Sequence, residues 1–144
     1  MGFLSWLANN PKEEAPTELQ LSLWEESQPS RKRRRVDGVT VRNNFTQTIK
    51  DKGGDAGCYQ DSTEALTQEV LGCETRKLYK ETGAKRGDRS TLPERAQEAL
   101  MTGEIVATHD LKRKPISGTQ QQRNEQIVTS VSDSAKRTRK LFPW

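Results

Sequence analysis

The sequence predicts a small all-α domain of four or five helices, preceded by a partly disordered N-terminal tail. Two observations carry this reading. Between about residue 38 and residue 138, apolar side chains recur three or four positions apart, the period of one helix face. Glycine or proline interrupts the pattern at Gly53-Gly54, Gly72, Gly83, Pro115 and Gly118, where helices stop and turns begin. Composition sets the scale. The chain has 144 residues, 31% of them hydrophobic and 6% aromatic, with a mean hydropathy of −0.95. That length fits one small domain with tails. No run approaches the ~18 apolar residues of a membrane-spanning helix, and the apolar share is too low for a large enzyme core. The expected division is an acidic-then-basic flexible tail over 1–36, a helical domain over 37–138 and a basic, aromatic tip over 139–144.

The first thirty residues read as tail because Pro11, Pro16 and Pro29 punctuate them. Each proline removes a backbone donor and disfavours helix at the residue before it. Two apolar clusters lie inside this stretch: Phe3, Leu4, Trp6 and Leu7, then Leu19, Leu21, Leu23 and Trp24. The second alternates with polar residues, as a strand does, and an isolated strand needs something to pair with. Either the clusters fold back on the chain's own core, or they are short anchors that order on a partner. Under the second reading Trp6, Leu21, Leu23 and Trp24 are partner-binding residues. The apolar start is too short, and lacks the basic flank, for a secretory signal. Trp6 also stands where a myristoylation pattern requires Ser or Thr.

Next comes the densest charge run, Arg31-Lys32-Arg33-Arg34-Arg35. Five consecutive cations repel one another, so the run is expected to stay extended until an anion neutralises it. It reads as a phosphate-contacting linker, as a nuclear-localisation patch in a eukaryotic host, or as a solvated spacer.

The helices follow in order. Val41, Phe45 and Ile49 form one stripe on a helix over about 38–52, ended by Gly53-Gly54. Asp61 and Glu64 have the layout of a capping box for a short helix that buries Leu66, Val70 and Leu71 and stops at Gly72. Another starts near Glu74, presents Leu78 and Tyr79, and stops at Gly83. Thr91-Leu92-Pro93-Glu94 reads as a capping box with proline in the first turn. The long helix behind it carries Ala96, Leu100, Gly103, Ala107 and Leu111 as its inward stripe, and is the candidate central helix. Lys112-Arg113-Lys114-Pro115 places cations at its negative end and then breaks it. The last helix, about 120–138, shows Ile127, Val131 and Ala135 four residues apart. Phe142 and Trp144 then either cap the core or stack on nucleic-acid bases.

Motifs for catalysis are missing from this pattern. Cys58 and Cys73 form no CxxC pair, and with a single His the chain is poorly supplied for structural zinc; two free thiols are expected. No GxSxG or HExxH appears. His109, near the end of the long helix, reads as a local contact with the helix dipole. The loop Gly83-Ala84-Lys85-Arg86-Gly87-Asp88-Arg89 joins two glycines to three bases, but lacks the GxxxxGK[ST] spacing and a preceding strand. No cofactor, metal or small-molecule substrate is expected.

Charge is the more informative signal. The formal net charge is +4, yet it alternates: about −4 over 1–30, +6 over 31–50, −4 over 51–111 and +6 over 112–144. Two basic segments flanking an acidic middle point to a polyanion. Arg31, Lys32, Arg33, Arg34 and Arg35 form one expected phosphate-contact region; Lys136, Arg137, Arg139 and Lys140 form the second.

Val41-Arg42-Asn43-Asn44-Phe45, Leu71-Gly72, Glu74-Thr75-Arg76-Lys77-Leu78-Tyr79, Asp88-Arg89-Ser90-Thr91-Leu92 and Glu104-Ile105-Val106-Ala107 form a layout over about 41–136. It resembles the helical module that accompanies phage antirepressor, KilA-N and BRO-type domains, including some DNA-damage-inducible proteins. The resemblance implies an all-α module in a phage-like or mobile-element setting, and carries no catalytic motif. The N-terminal DNA-binding portion such proteins often have is replaced here by the short Arg-rich segment.

Together these observations lead to the expectation of a non-enzymatic, nucleic-acid-associated accessory or regulatory protein, cytoplasmic (or nuclear in a eukaryote), binding phosphates through basic segments with little sequence specificity. The alternative is an antirepressor-like adaptor that docks on a regulatory protein partner. With narrow apolar stripes, the domain is expected to be marginally stable alone, which leaves room for self-association.

Overall fold

The computed structural model describes residues 2–10 and 28–144, with side chains described for 2–10 and 38–144. Among the described residues are six α-helices and no strand: α1 (Phe3–Asn9), α2 (Gln28–Asp51), α3 (Ala56–Leu71), α4 (Thr75–Thr82), α5 (Glu94–Arg113) and α6 (Gln120–Arg139). A short 3-10 turn, Arg89–Thr91, precedes α5. The all-α prediction holds.

Helix α5 is the centre. Its predicted stripe, Ala96, Leu100, Gly103, Ala107 and Leu111, is buried throughout, together with Ala99. Three helices cover it: α2, α3 and α6, with α6 lying in the angle between α3 and α5. Gly103 is where α3 comes closest, since a Cβ there would sit 3.3 Å from Val70 and 3.4 Å from Leu66. The α2 stripe contributes Phe45 and Ile49, and α6 contributes Ile127, Val131 and Ala135. These stripes are too narrow to cover the core unaided. Thr48, Thr67, Thr108 and Thr138 are buried beside them, and each hydroxyl donates to the carbonyl four residues back at 2.7–2.9 Å. That local bond satisfies the hydroxyl and lets a polar residue occupy an interior position.

Helix ends follow local chemistry, with corrections to the expected caps. Gly72 and Gly83 close α3 and α4 in the left-handed region, at φ 73° and 71°, where glycine carries no Cβ penalty. Helix α3 begins at Ala56 rather than near Asp61. Its cap is Asp55, whose carboxylate accepts from the Cys58 N–H at 2.8 Å, and Asp61 lies inside the helix. The Gly53-Gly54 turn is shorter than expected, so the first acidic residue after it takes the cap. Thr91 does not cap α5 either. Its hydroxyl accepts from the Lys85 N–H at 2.8 Å, which draws it into the preceding loop and leaves Pro93 at the cap position. The capping box that does form is Thr119 with Gln122, at the start of α6.

The N-terminal tail needs two revisions. Residues 3–9 form helix α1, and Phe3 is fully buried. Phe3 and Trp6 join Trp144 and Phe142 in an aromatic cluster, with ring centroids 4.9 Å apart for Phe3–Trp144 and 5.2 Å for Trp6–Trp144. The Trp144 indole N–H donates to the Val70 carbonyl at 2.7 Å, which anchors the cluster on the end of α3. The C-terminal aromatics thus cap the core. The basic run is also helical rather than extended, because α2 starts at Gln28. Lys and Arg are good helix formers, and lengthening a helix already held by packing avoids a new nucleation step. The second apolar cluster, Leu21, Leu23 and Trp24 included, lies outside the described residues.

Candidate functional site

A hollow of ≈ 610 Å³ lined by several bases opens on the described surface. Four segments bring bases to it: α2 supplies Arg42, α4 supplies Arg76 and Lys80, the following loop supplies Arg86, and the 3-10 turn supplies Arg89. Arg76 and Lys80 share a face because they are one helical turn apart. The floor is apolar, made by Leu78, Ala84 and Leu100 with the half-buried Tyr79 ring beside them.

One acid, Glu64, lines the hollow. Its carboxylate accepts from the Thr75 N–H at 3.0 Å, so it serves the first turn of α4. Thr75 itself has a buried side-chain oxygen with no hydrogen-bond partner.

Behind the hollow, Glu104 is buried on α5 at 2% exposure and ion-pairs with Arg89. Burial pushes its carboxyl above the ordinary value of 4.5, and the Arg89 charge and hydrogen bond work in the opposite sense. Burial likewise raises the Tyr79 hydroxyl, opposed by Arg89 and Arg42. On Tyr59, burial raises the phenol, but the hydrogen bonds and charge from Arg42, with Thr46, outweigh it and hold the group below its usual value. Arg42 therefore acts on Tyr59, Tyr79 and Glu104 at once, from the point where α2 meets the hollow.

The first predicted contact region lies on the same helix. On a helix rising 1.5 Å per residue, Arg31, Lys32, Arg33, Arg34 and Arg35 lie about 10–17 Å along the axis from Arg42. The second region is less coherent than its sequence suggests. Lys136 and Lys140 are exposed and one turn apart. Arg137 ion-pairs with Asp110 of α5, which also accepts from the Ser134 hydroxyl at 2.6 Å. Arg139 lies against the Gly72 turn. So Lys136, Arg137 and Lys140 are exposed, Arg137 while pairing with Asp110, and only Arg139 is half-buried. Among the proposed anchors, Trp6 is half-buried in the aromatic cluster, and Leu21, Leu23 and Trp24 fall outside the described residues.

Sequence reading passed over the hollow, although one signal was present. The Gly83–Arg89 loop, which lacks the spacing of a phosphate loop, forms one wall of it. Both thiols are free and buried, and burial pushes each above its ordinary value of 9.0. His109 is exposed on α5. Among the described residues, no three His, Cys, Asp or Glu side chains gather as metal ligands would. No helix among them is long and apolar enough to cross a membrane. Compared with known proteins, the chain matches no family model, no curated protein and no solved structure.

Proposed function

We propose that this protein is a non-enzymatic, nucleic-acid-associated accessory or regulatory protein that holds phosphates through basic residues and reads little sequence. The observation that supports this most strongly is the continuity of α2. The Arg31–Arg35 run and Arg42 belong to one helix. The densest cationic segment of the chain therefore leads into a hollow where three other segments add bases of their own. Such an array lowers the energy of a polyanion by releasing its counterions, whatever the base sequence. Phosphate contacts of this kind position a protein on the strand without specifying bases.

The test is the anisotropy of a labelled duplex titrated with the full chain at low salt. Wild type is expected to bind, and two duplexes of unrelated sequence are expected to bind within about threefold of each other, as phosphate contacts require. Absence of binding at low salt would refute the proposal. A preference of a hundredfold or more between the duplexes would refute its claim of weak specificity.

A further inference from the structure

We propose that the hollow between α2, α4 and the Gly83–Arg89 loop holds one phosphorylated nucleoside unit, with its base against Tyr79 and its phosphate among Arg42, Lys80 and Arg86. The inference deepens the nucleic-acid reading and rests on it for the polymer, but it makes a separate claim about this cavity.

Three observations converge. The hollow measures ≈ 610 Å³, within the range of sites that enclose a small organic ligand. Its walls divide by chemistry: bases around the rim, and Leu78, Leu100 and an aromatic ring below. A ligand suited to both parts carries an anion joined to a flat apolar group, which describes a nucleoside phosphate better than inorganic phosphate or a fatty acid. Glu64, the one acid lining the hollow, is engaged with the Thr75 N–H at 3.0 Å, and Arg89 is paired with Glu104. Set against the single negative charge of Glu64, the bases Arg42, Arg76, Lys80 and Arg86 still leave a cationic surplus.

The unit has two possible sources, a free mononucleotide or one unstacked nucleotide of a single strand. Duplex DNA presents neither, because its bases are stacked and paired. The hollow is therefore expected to favour single strands, through stacking on the aromatic face.

Labelled (dT)12, the matched 12-base-pair duplex and AMP serve as probes on the full chain. Expected is tighter binding of (dT)12 than of the duplex by about tenfold. Tyr79→Leu alters no charge, and should lower (dT)12 affinity about tenfold while leaving the duplex within twofold. Arg86→Ala on the exposed loop should also lower (dT)12 affinity, and it provides the test if Tyr79→Leu does not fold. Displacement of (dT)12 by AMP would assign the site to free nucleotides as well as strands. Failure of AMP to compete, with both variants still impaired, would assign it to strands. If (dT)12 binding is unchanged in both variants and AMP does not bind, the proposal is wrong. That failure is distinct from failure of the wider reading, which is absence of duplex binding by wild type.

Discussion

At the scale of single residues, the decisive group is Glu104. Its carboxylate is almost fully buried, and Arg89 is its ion-pair partner. Such a pair adds little beyond an apolar equivalent, but removing one member leaves a buried charge uncompensated. Arg89→Ala is therefore expected to cost about 3 kcal/mol of unfolding free energy at pH 7, measured by urea denaturation. The pH dependence has a definite sign. Burial raises the folded-state pKa above the ordinary 4.5, so within that window the folded protein holds a proton that the unfolded chain has released. Stability from this group then falls as pH rises through the window. Glu104→Gln should flatten that slope; an unchanged slope would show that another group sets it. The thiols give a second residue-scale test. Cys58 and Cys73 are buried with raised pKa values, so a thiol reagent should react slowly with native protein and rapidly in denaturant.

At the scale of elements, two substitutions separate capping from packing. Thr119 and Gln122 satisfy each other's backbone at the start of α6, so Thr119→Ala should cost about 1 kcal/mol. Gly103→Val places methyls where a bare Cβ already meets Val70 at 3.3 Å, and should cost about 1–3 kcal/mol through overpacking. Both are read from denaturation midpoints.

The helices themselves were legible because their stripes repeat within a few residues. The α5 stripe and the stops at Gly72 and Gly83 were read correctly for that reason. Caps were harder to read, since several Asp, Thr and Glu residues satisfy the same local rule. Only the turn length selects Asp55 over Asp61, and only the loop bond to Lys85 takes Thr91 from its cap. The interior Ser and Thr residues were invisible for a different reason: a hydroxyl that bonds its own helix looks identical, in sequence, to one facing water.

At the scale of the molecule, the cationic hollow could not be read from the chain, because its bases come from four segments brought together by tertiary packing. The Arg31–Arg35 run was plain, but its helical state was not. Repulsion among five cations argued for extension, whereas continuity with the packed half of α2 carries the helix back to Gln28. The aromatic cluster joins both ends of the described chain, and so makes helix α1 part of the domain. Phe3→Ala should therefore destabilise the whole protein by about 3–5 kcal/mol, as loss of a buried core aromatic does. A cost near zero would show that α1 is dispensable.

The most direct test of the account is the salt dependence of duplex binding before and after Arg31, Lys32, Arg33, Arg34 and Arg35 are changed together to alanine. If the run neutralises about five phosphates, the log–log slope of affinity against salt should lie near −4.5 from the run alone, and steeper with the hollow's bases. The substituted protein should lose about that much slope while remaining helical and folded. A slope that does not change would contradict the account, because it would mean that the densest positive charge on the chain meets no phosphate.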